Sequence, residues 1–317
     1  MKICFISRQC FLVDNKSGGH VYSESIYKLL CSIAGEKNVE LMFIAQSNRM
    51  TKVIEDNHIH IKRTTNNKIL KRIYWFLGRD GYSRCEELSI VRELKNINAD
   101  YYFFDGSWLG GLSAYLPHEK VIVLYHNIEK ELFFESRAIK DRVVDGMEFI
   151  STCNNEKLIT KKAFCRICLN KRDSELLNRN YNESASIILP IFLTDKYTGT
   201  ITCSPTHSIL FVGSYYKPNV EGLKWFCSRV MPHIKYDLKI VGRNLELIKD
   251  ELETSNVHVI GSVENLEKFY VEADVVVAPI FSGGGMKVKI AEALMHGKVI
   301  VGTKEAFEGY EDSFTCD

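Results

Sequence analysis

Short apolar runs and amphipathic helical stretches alternate along this chain from its first residues onward. Residues 2–7 read as a strand, Gly18-Gly19 as a loop, and residues 21–33 as a helix whose Val21, Ile26, Leu29, Leu30 and Ile33 share one stripe. Further strands are predicted at 39–45, 101–104, 121–125, 164–169 and 187–189. Helical patterns separate most of them, the order of a parallel sheet with crossover helices.

From Pro190 to Pro205 the pattern breaks into a Pro-, Thr- and Ser-containing stretch, which predicts a linker over 191–206. A second unit then opens as the first did. Residues 208–212 read as a strand, Gly213 begins a loop, and 220–231 read as a helix. Strands follow at 237–241, 257–260, 275–279 and 299–302. The reading is therefore α/β, with a Rossmann-like domain over 1–190 and another over 207–317; 317 residues favour two such domains over one. In open parallel sheets, ligands bind beyond the carboxyl ends of the strands. Both glycine loops and the segments after Tyr125 and Pro279 are such positions. If the halves face each other, they line one cleft.

Composition narrows the partners. With 41 Lys plus Arg against 40 Asp plus Glu, the formal charge is +1, and no global basic surface argues for nucleic acid. An anionic ligand must be held locally. Ten cysteines are scattered without a signal peptide, and no apolar run reaches the length of a membrane helix, so a reducing cytoplasm is expected. Cys165 and Cys168 form a Cys-x-x-Cys, but within a strand-like apolar run and without a second pair, so strand thiols are predicted.

The most informative segment runs from Ala278 to Gly297: a strand end, then Gly283-Gly284-Gly285-Met286-Lys287, then a helix. Glycines allow backbone amides to approach a ligand, and a helix N-terminus attracts anions. The helix is apolar almost all round except at Lys289, Glu292 and His296, which fall within a stripe roughly 60° wide. Buried charge is unfavourable unless partnered. Lys289 is thus expected on a phosphate and Glu292 on sugar or ribose hydroxyls, the plainer alternative being an internal i,i+3 ion pair. The segment is neither a Gly-x-Gly-x-x-Gly turn nor a P-loop.

These motifs resemble glycosyltransferase family 4, the retaining GT-B enzymes, in a subgroup with Pro-Asn and Gly-Gly-Gly-x-Lys-x-Lys motifs. The matching residues include Phe211-Val212-Gly213, Pro218-Asn219, Val241-Gly242, Ala273-Asp274, Pro279, Gly283 to Glu292, and Gly297. The resemblance implies a GT-B fold with parallel sheets facing across a cleft, and a nucleoside diphosphate sugar as donor. It implies donor contacts at Gly18, Gly19, Gly213, Asn219, Gly284, Gly285, Met286, Lys287 and Glu292. It also implies catalytic roles for Lys289 and for His126, which follows a strand in Leu124-Tyr125-His126-Asn127. The family's paired Glu is reduced here, because Gly284 occupies the first position. Its basic pair flanking the loop after the first strand of the second domain is replaced by Ser214 and Asn219, leaving Lys287, Lys289 or Lys217 for the donor charge. Family members continue further, so the second domain reads as truncated after Thr303.

Several expectations follow. Asp-x-Asp is absent, so no cofactor and a metal-independent reaction are expected. The acceptor is expected to be a saccharide or a lipid-linked molecule. The stretch from Lys62 to Arg79 combines Lys62, Arg63, Lys68, Lys71, Arg72 and Arg79 with apolar and aromatic residues and no acidic one. It reads either as a peripheral contact to the inner face of the membrane or as a helix packed on its domain. Two rival functions share the donor pocket: a catalytically inactive nucleotide-sugar-binding protein, and a sugar-nucleotide 2-epimerase.

Overall fold

A computed structural model of the chain describes residues 1–12, 18–46, 58–64, 67–77, 82–135, 142–195 and 207–311. The chain divides into two compact units. One comprises Met1–Val13, Ser23–Phe134 and Ala138–Pro190; the other comprises Asp14–Tyr22, Glu135–Arg137 and Ile191–Asp317.

The first unit is built on strands β1 (Ile3–Ser7), β2 (Val39–Gln46), β3 (Ile59–Thr64), β4 (Tyr101–Asp105), β5 (Val121–Tyr125), β6 (Cys165–Cys168) and β7 (Ile187–Ile188). They form one sheet in the order β3-β2-β1-β4-β5-β6-β7, every pair parallel. The connections carry helices α1 (Gly18–Ala34), α2 (Lys68–Phe76), α3 (Arg84–Ile97), α4 (Gly110–Ser113), α5 (Glu129–Glu135), α6 (Arg142–Lys162) and α7 (Lys171–Tyr181). The near-continuous apolar runs of β1, β4 and β5 are explained by burial on both faces of a helix-covered parallel sheet. Ile6, Met42, Phe104, Val123 and Leu177 lie in one core cluster.

The second unit has β8 (Ser208–Val212), β9 (Asp237–Val241), β10 (Val257–Gly261), β11 (Val275–Ala278) and β12 (Val299–Gly302), in the order β10-β9-β8-β11-β12 and again all parallel. Its helices are α8 (Lys217–Arg229), α9 (Lys249–Leu252), α10 (Glu267–Glu272) and α11 (Val288–Met295). Both sheets thus reverse their strand order beside their first strand, between β1 and β4 and between β8 and β11. Those are the topological switch points where open α/β sheets bind ligands.

One sequence reading needs correction. The stretch from Lys62 to Arg79 is not one helix. Lys62 and Arg63 belong to β3, where Ile59 and Ile61 alternate with His60 and Lys62, and Lys62 pairs with Glu93. The helix begins only after Asn67, whose side chain accepts from Ile69 N and Leu70 N at 2.9 and 3.2 Å; Arg79 lies outside the described residues. Of the predicted linker 191–206, residues 191–195 have no regular secondary structure and the rest lie outside the described residues. Cys165 and Cys168 sit on β6 as free thiols, and no described helix is long and apolar enough to cross a membrane.

Candidate functional site

In the first unit, three side chains meet at the switch point. Ser7 ends β1 and Asp105 ends β4, and the two are register partners. Ser7 Oγ donates to Asp105 Oδ2 at 2.6 Å. On the other carboxylate oxygen, His126 Nε2 lies 2.6 Å from Asp105 Oδ1. His126 is the first residue after β5. Its ring stacks on Trp108, with centroids 6.1 Å apart and planes 13° from parallel. All three polar residues are buried.

Electrostatics follow from that geometry. Burial alone would raise the Asp105 carboxyl, but the His126 charge and the hydrogen bonds from His126 and Ser7 hold it below its usual range. Burial alone would lower His126, but the Asp105 charge and hydrogen bond carry it above its ordinary value. The pair therefore favours imidazolium beside carboxylate.

A second buried carboxylate shapes the loops around His126. Glu156, on α6, accepts from Ser107 Oγ at 3.0 Å and Glu129 N at 2.8 Å through one oxygen. Through the other it accepts from Lys130 N at 3.1 Å and Tyr181 OH at 2.7 Å. It thereby ties together the β4 loop, the start of α5 and α7. Sequence reasoning missed Ser7, Asp105, Trp108 and Glu156. Asp105 carried one available signal, as the charged residue ending an otherwise apolar strand.

In the second unit, the glycine loop after β11 leads into α11. Gly283 and Gly285 have φ of 121° and 60°, the left-handed region that glycine enters without strain. Among the described residues, the amides of Gly284, Gly285 and Met286 donate no hydrogen bond. They precede the N-terminus of α11, where dipole and amides both favour an anion.

The two candidate cations differ. Lys287 Nζ lies 2.9 Å from Glu305 Oε1 and donates to the Gly285 and Gly284 carbonyls at 3.0 and 3.3 Å. Its charge fastens the loop. Lys289 keeps some solvent-accessible surface, yet its ammonium sits 4.2 Å from the Phe211 ring centroid and donates at 2.8 Å to Asn219 Oδ1. Desolvation, aided by the like charge of Lys287 and opposed by Glu292, pushes its pKa down to about 7. Asn219 is set in turn by its Nδ2, which donates to Ser214 O at 2.9 Å. Gly213 is needed beside it, because a Cβ there would lie 2.9 Å from Asn219 Nδ2.

Glu292 lies one turn further along α11 and accepts from the Tyr270 hydroxyl at 3.1 Å, while Tyr270 stacks on His296 at 4.7 Å. On the polar stripe read from the sequence, Lys289 turns to Asn219, Glu292 to the Tyr270 hydroxyl and His296 to the Tyr270 ring. Met286 is buried and Lys217 is exposed at the start of α8. Gly18 and Gly19 open α1, and a Cβ at Gly18 would lie 3.1 Å from Val288 Cβ, at the head of α11.

Residues 206–313 match the family model described as Glycosyl transferases group 1. An uncharacterized 44.6 kDa protein in the cps region of Klebsiella pneumoniae is 24% identical over 245 residues, a match spanning 70% of this chain and 62% of that relative, under two thirds of its length. Among solved structures, Anabaena Alr3699/HepE in complex with UDP-glucose superposes with a TM-score of 0.64 at 12% identity, covering 100% of this chain and 83% of that one. The lipopolysaccharide outer core galactosyltransferase WaaB gives 0.59 at 12% identity, over 95% of this chain and 80% of that one. The trehalose-6-phosphate synthase OtsA gives 0.60 at 10% identity, over 98% and 86%. The fold is GT-B, with two Rossmann-like domains, and residues 206–313 match a glycosyltransferase family model.

Proposed function

We propose that this protein transfers a glycosyl group from a nucleoside diphosphate sugar to an acceptor hydroxyl, with retention, in the synthesis of a cell-surface polysaccharide or glycolipid. The observation that carries the reading is Lys289. Its ammonium is held by Asn219 over an aromatic ring, behind three undonated loop amides, at a sheet's switch point. A desolvated cation beside free amides suits a diphosphate.

In the proposed reaction the bond from the sugar's anomeric carbon to the diphosphate oxygen breaks, and its electron pair leaves with the diphosphate. The acceptor oxygen bonds to the anomeric carbon, and its proton passes to the departing diphosphate. The amides of Gly284, Gly285 and Met286 and the Lys289 ammonium stabilise the charge that develops on the leaving group, usually the largest catalytic contribution. Glu292 takes donor hydroxyls, and the 207–317 half thus serves the donor while the 1–190 half, with His126, serves the sugar and acceptor. The cps-region relative supports a polysaccharide setting, and the UDP-glucose bound to the Anabaena protein makes UDP the first base to test.

The test is a thermal-shift screen of nucleoside diphosphates and their sugars, then product analysis with saccharide and lipid-linked acceptors. A ligand at about 100 times its Kd adds roughly 2.7 kcal/mol of stability. Transfer that needs both donor and acceptor supports the proposal. Donor turnover without acceptor points to an epimerase, binding without turnover points to an inactive binder, and either overturns it.

A further inference from the structure

We propose that helix α2 is a docking element for an anionic lipid surface. The inference is independent of the transfer chemistry.

The helix is mounted with its apolar side outward. At about 100° per residue, Ile69, Leu70, Ile73, Phe76 and the C-capping Leu77 share a face about 120° wide. Their exposures are 69%, 38%, 47%, 75% and 58%. The less exposed positions, Lys71, Tyr74 and Trp75, lie on the opposite side, and α2 packs against α6. No residue of α2 is buried. A surface helix of a water-soluble domain ordinarily turns its apolar stripe toward the core. Contiguous exposed apolar surface of this kind marks an interaction site.

Charge selects the occupant. The described residues of this helix and its caps, 67–77, carry Lys68, Lys71 and Arg72 and no acidic side chain. Arg72 borders the apolar face directly, and the exposed Lys68 follows it around the helix. An apolar face edged by basic residues is the pattern of an interfacial helix: the face enters the acyl boundary while the cations meet anionic headgroups. A second copy seated on the same face would set Lys68 and Arg72 against their own counterparts, and like charges oppose that pairing.

The test is sedimentation of the full chain with vesicles of phosphatidylcholine alone and with about one third phosphatidylglycerol, at low and high salt. Binding is expected to the anionic vesicles and to weaken as salt rises. Phe76→Ser with Ile73→Ser should weaken it roughly tenfold or more by removing apolar burial. Lys68→Glu with Arg72→Glu should weaken it about as much. All four positions are exposed or border solvent, so circular dichroism of each variant should match the parent. Equal binding to both vesicle types, binding unaffected by either variant, or no binding would overturn the proposal. Concentration-dependent dimerisation without vesicle binding, lost in the Phe76 variant, would assign the face to a second copy instead.

Discussion

His126 Nε2 and Asp105 Oδ1 lie 2.6 Å apart, with both residues buried at the ends of adjacent parallel strands. The contact makes the imidazole's charge state depend on the carboxylate, and the Trp108 ring fixes the imidazole plane.

Replacing Asp105 with Asn should therefore lower the His126 pKa and cut turnover about tenfold or more, with the alkaline limb of the pH–rate profile, where the imidazolium is lost, shifting to lower pH. Stability responds with a definite sign. A raised His126 pKa contributes stability that is full below the ordinary 6.5 and is lost as pH rises through the folded value. A depressed Asp105 pKa contributes stability present above the ordinary 3.8 and lost as pH falls through the folded value. The pair should thus stabilise most between those two ordinary values, and Asp105→Asn should flatten that maximum in urea titrations across pH. An unchanged His126 NMR titration in the variant would remove the coupling.

Lys289 titrates in the opposite sense. With its folded pKa near 7 and its ordinary value 10.5, the unfolded chain binds more protons between those limits, so this group makes stability rise as pH rises across that interval. Lys289→Met should abolish the rise while lowering turnover roughly 100-fold, by analogy with losing one oxyanion donor. Binding a diphosphate should recharge the lysine, so nucleotide binding above pH 7 should take up a proton. Calorimetry in buffers of different ionisation enthalpy reads that uptake, and its absence would place Lys289 away from the phosphates.

Much of the framework was legible because parallel strands buried on both faces are continuous apolar runs; β5 and β8 lie where those runs predict them, and β9 and β12 also fall at their predicted bounds although they are less buried. β3 was not, because Ile59-His60-Ile61-Lys62-Arg63 is basic at its end and merges into the basic residues of α2. Candidate site residues were legible where glycine and charge sit close in sequence, as from Gly283 to Glu292. Ser7 and Asp105 end two separate strands and His126 follows a third. Only strand order brings them together, and no local spacing announces it. The role of Asn219 was likewise hidden, because it depends on Lys289, distant in sequence and reaching it across the second sheet.

Turnover is expected to survive a chelator. The sequence contains no Asp-x-Asp to bridge a metal to the diphosphate, and the loop amides with Lys289 offer an alternative source of charge stabilisation. Incubation with excess EDTA should leave the rate within about twofold, far less than the loss of a catalytic metal. Complete loss restored by manganese would reassign the leaving-group chemistry.

Glu156 should act as a positioning residue for His126. Each of its oxygens accepts two hydrogen bonds: Ser107 Oγ and Glu129 N on one, Lys130 N and Tyr181 OH on the other. Glutamine has nearly the same shape but only one accepting oxygen, so in Glu156→Gln its amide group must face two donors whichever way it turns. Leaving buried donors unmatched costs about 1–3 kcal/mol, which urea denaturation should read as a lower midpoint at unchanged m-value. Because Ser107 adjoins Trp108 and Glu129 begins α5 just beyond His126, the loosened contacts lie on both sides of the imidazole. Turnover should fall more than donor affinity, since the contacts proposed for the diphosphate lie in the other unit. Glu156→Asp, which keeps two accepting oxygens on a shorter stem, should recover part of the stability and part of the rate. A Gln variant with parental stability and rate would show that the four contacts do not hold the His126 loops.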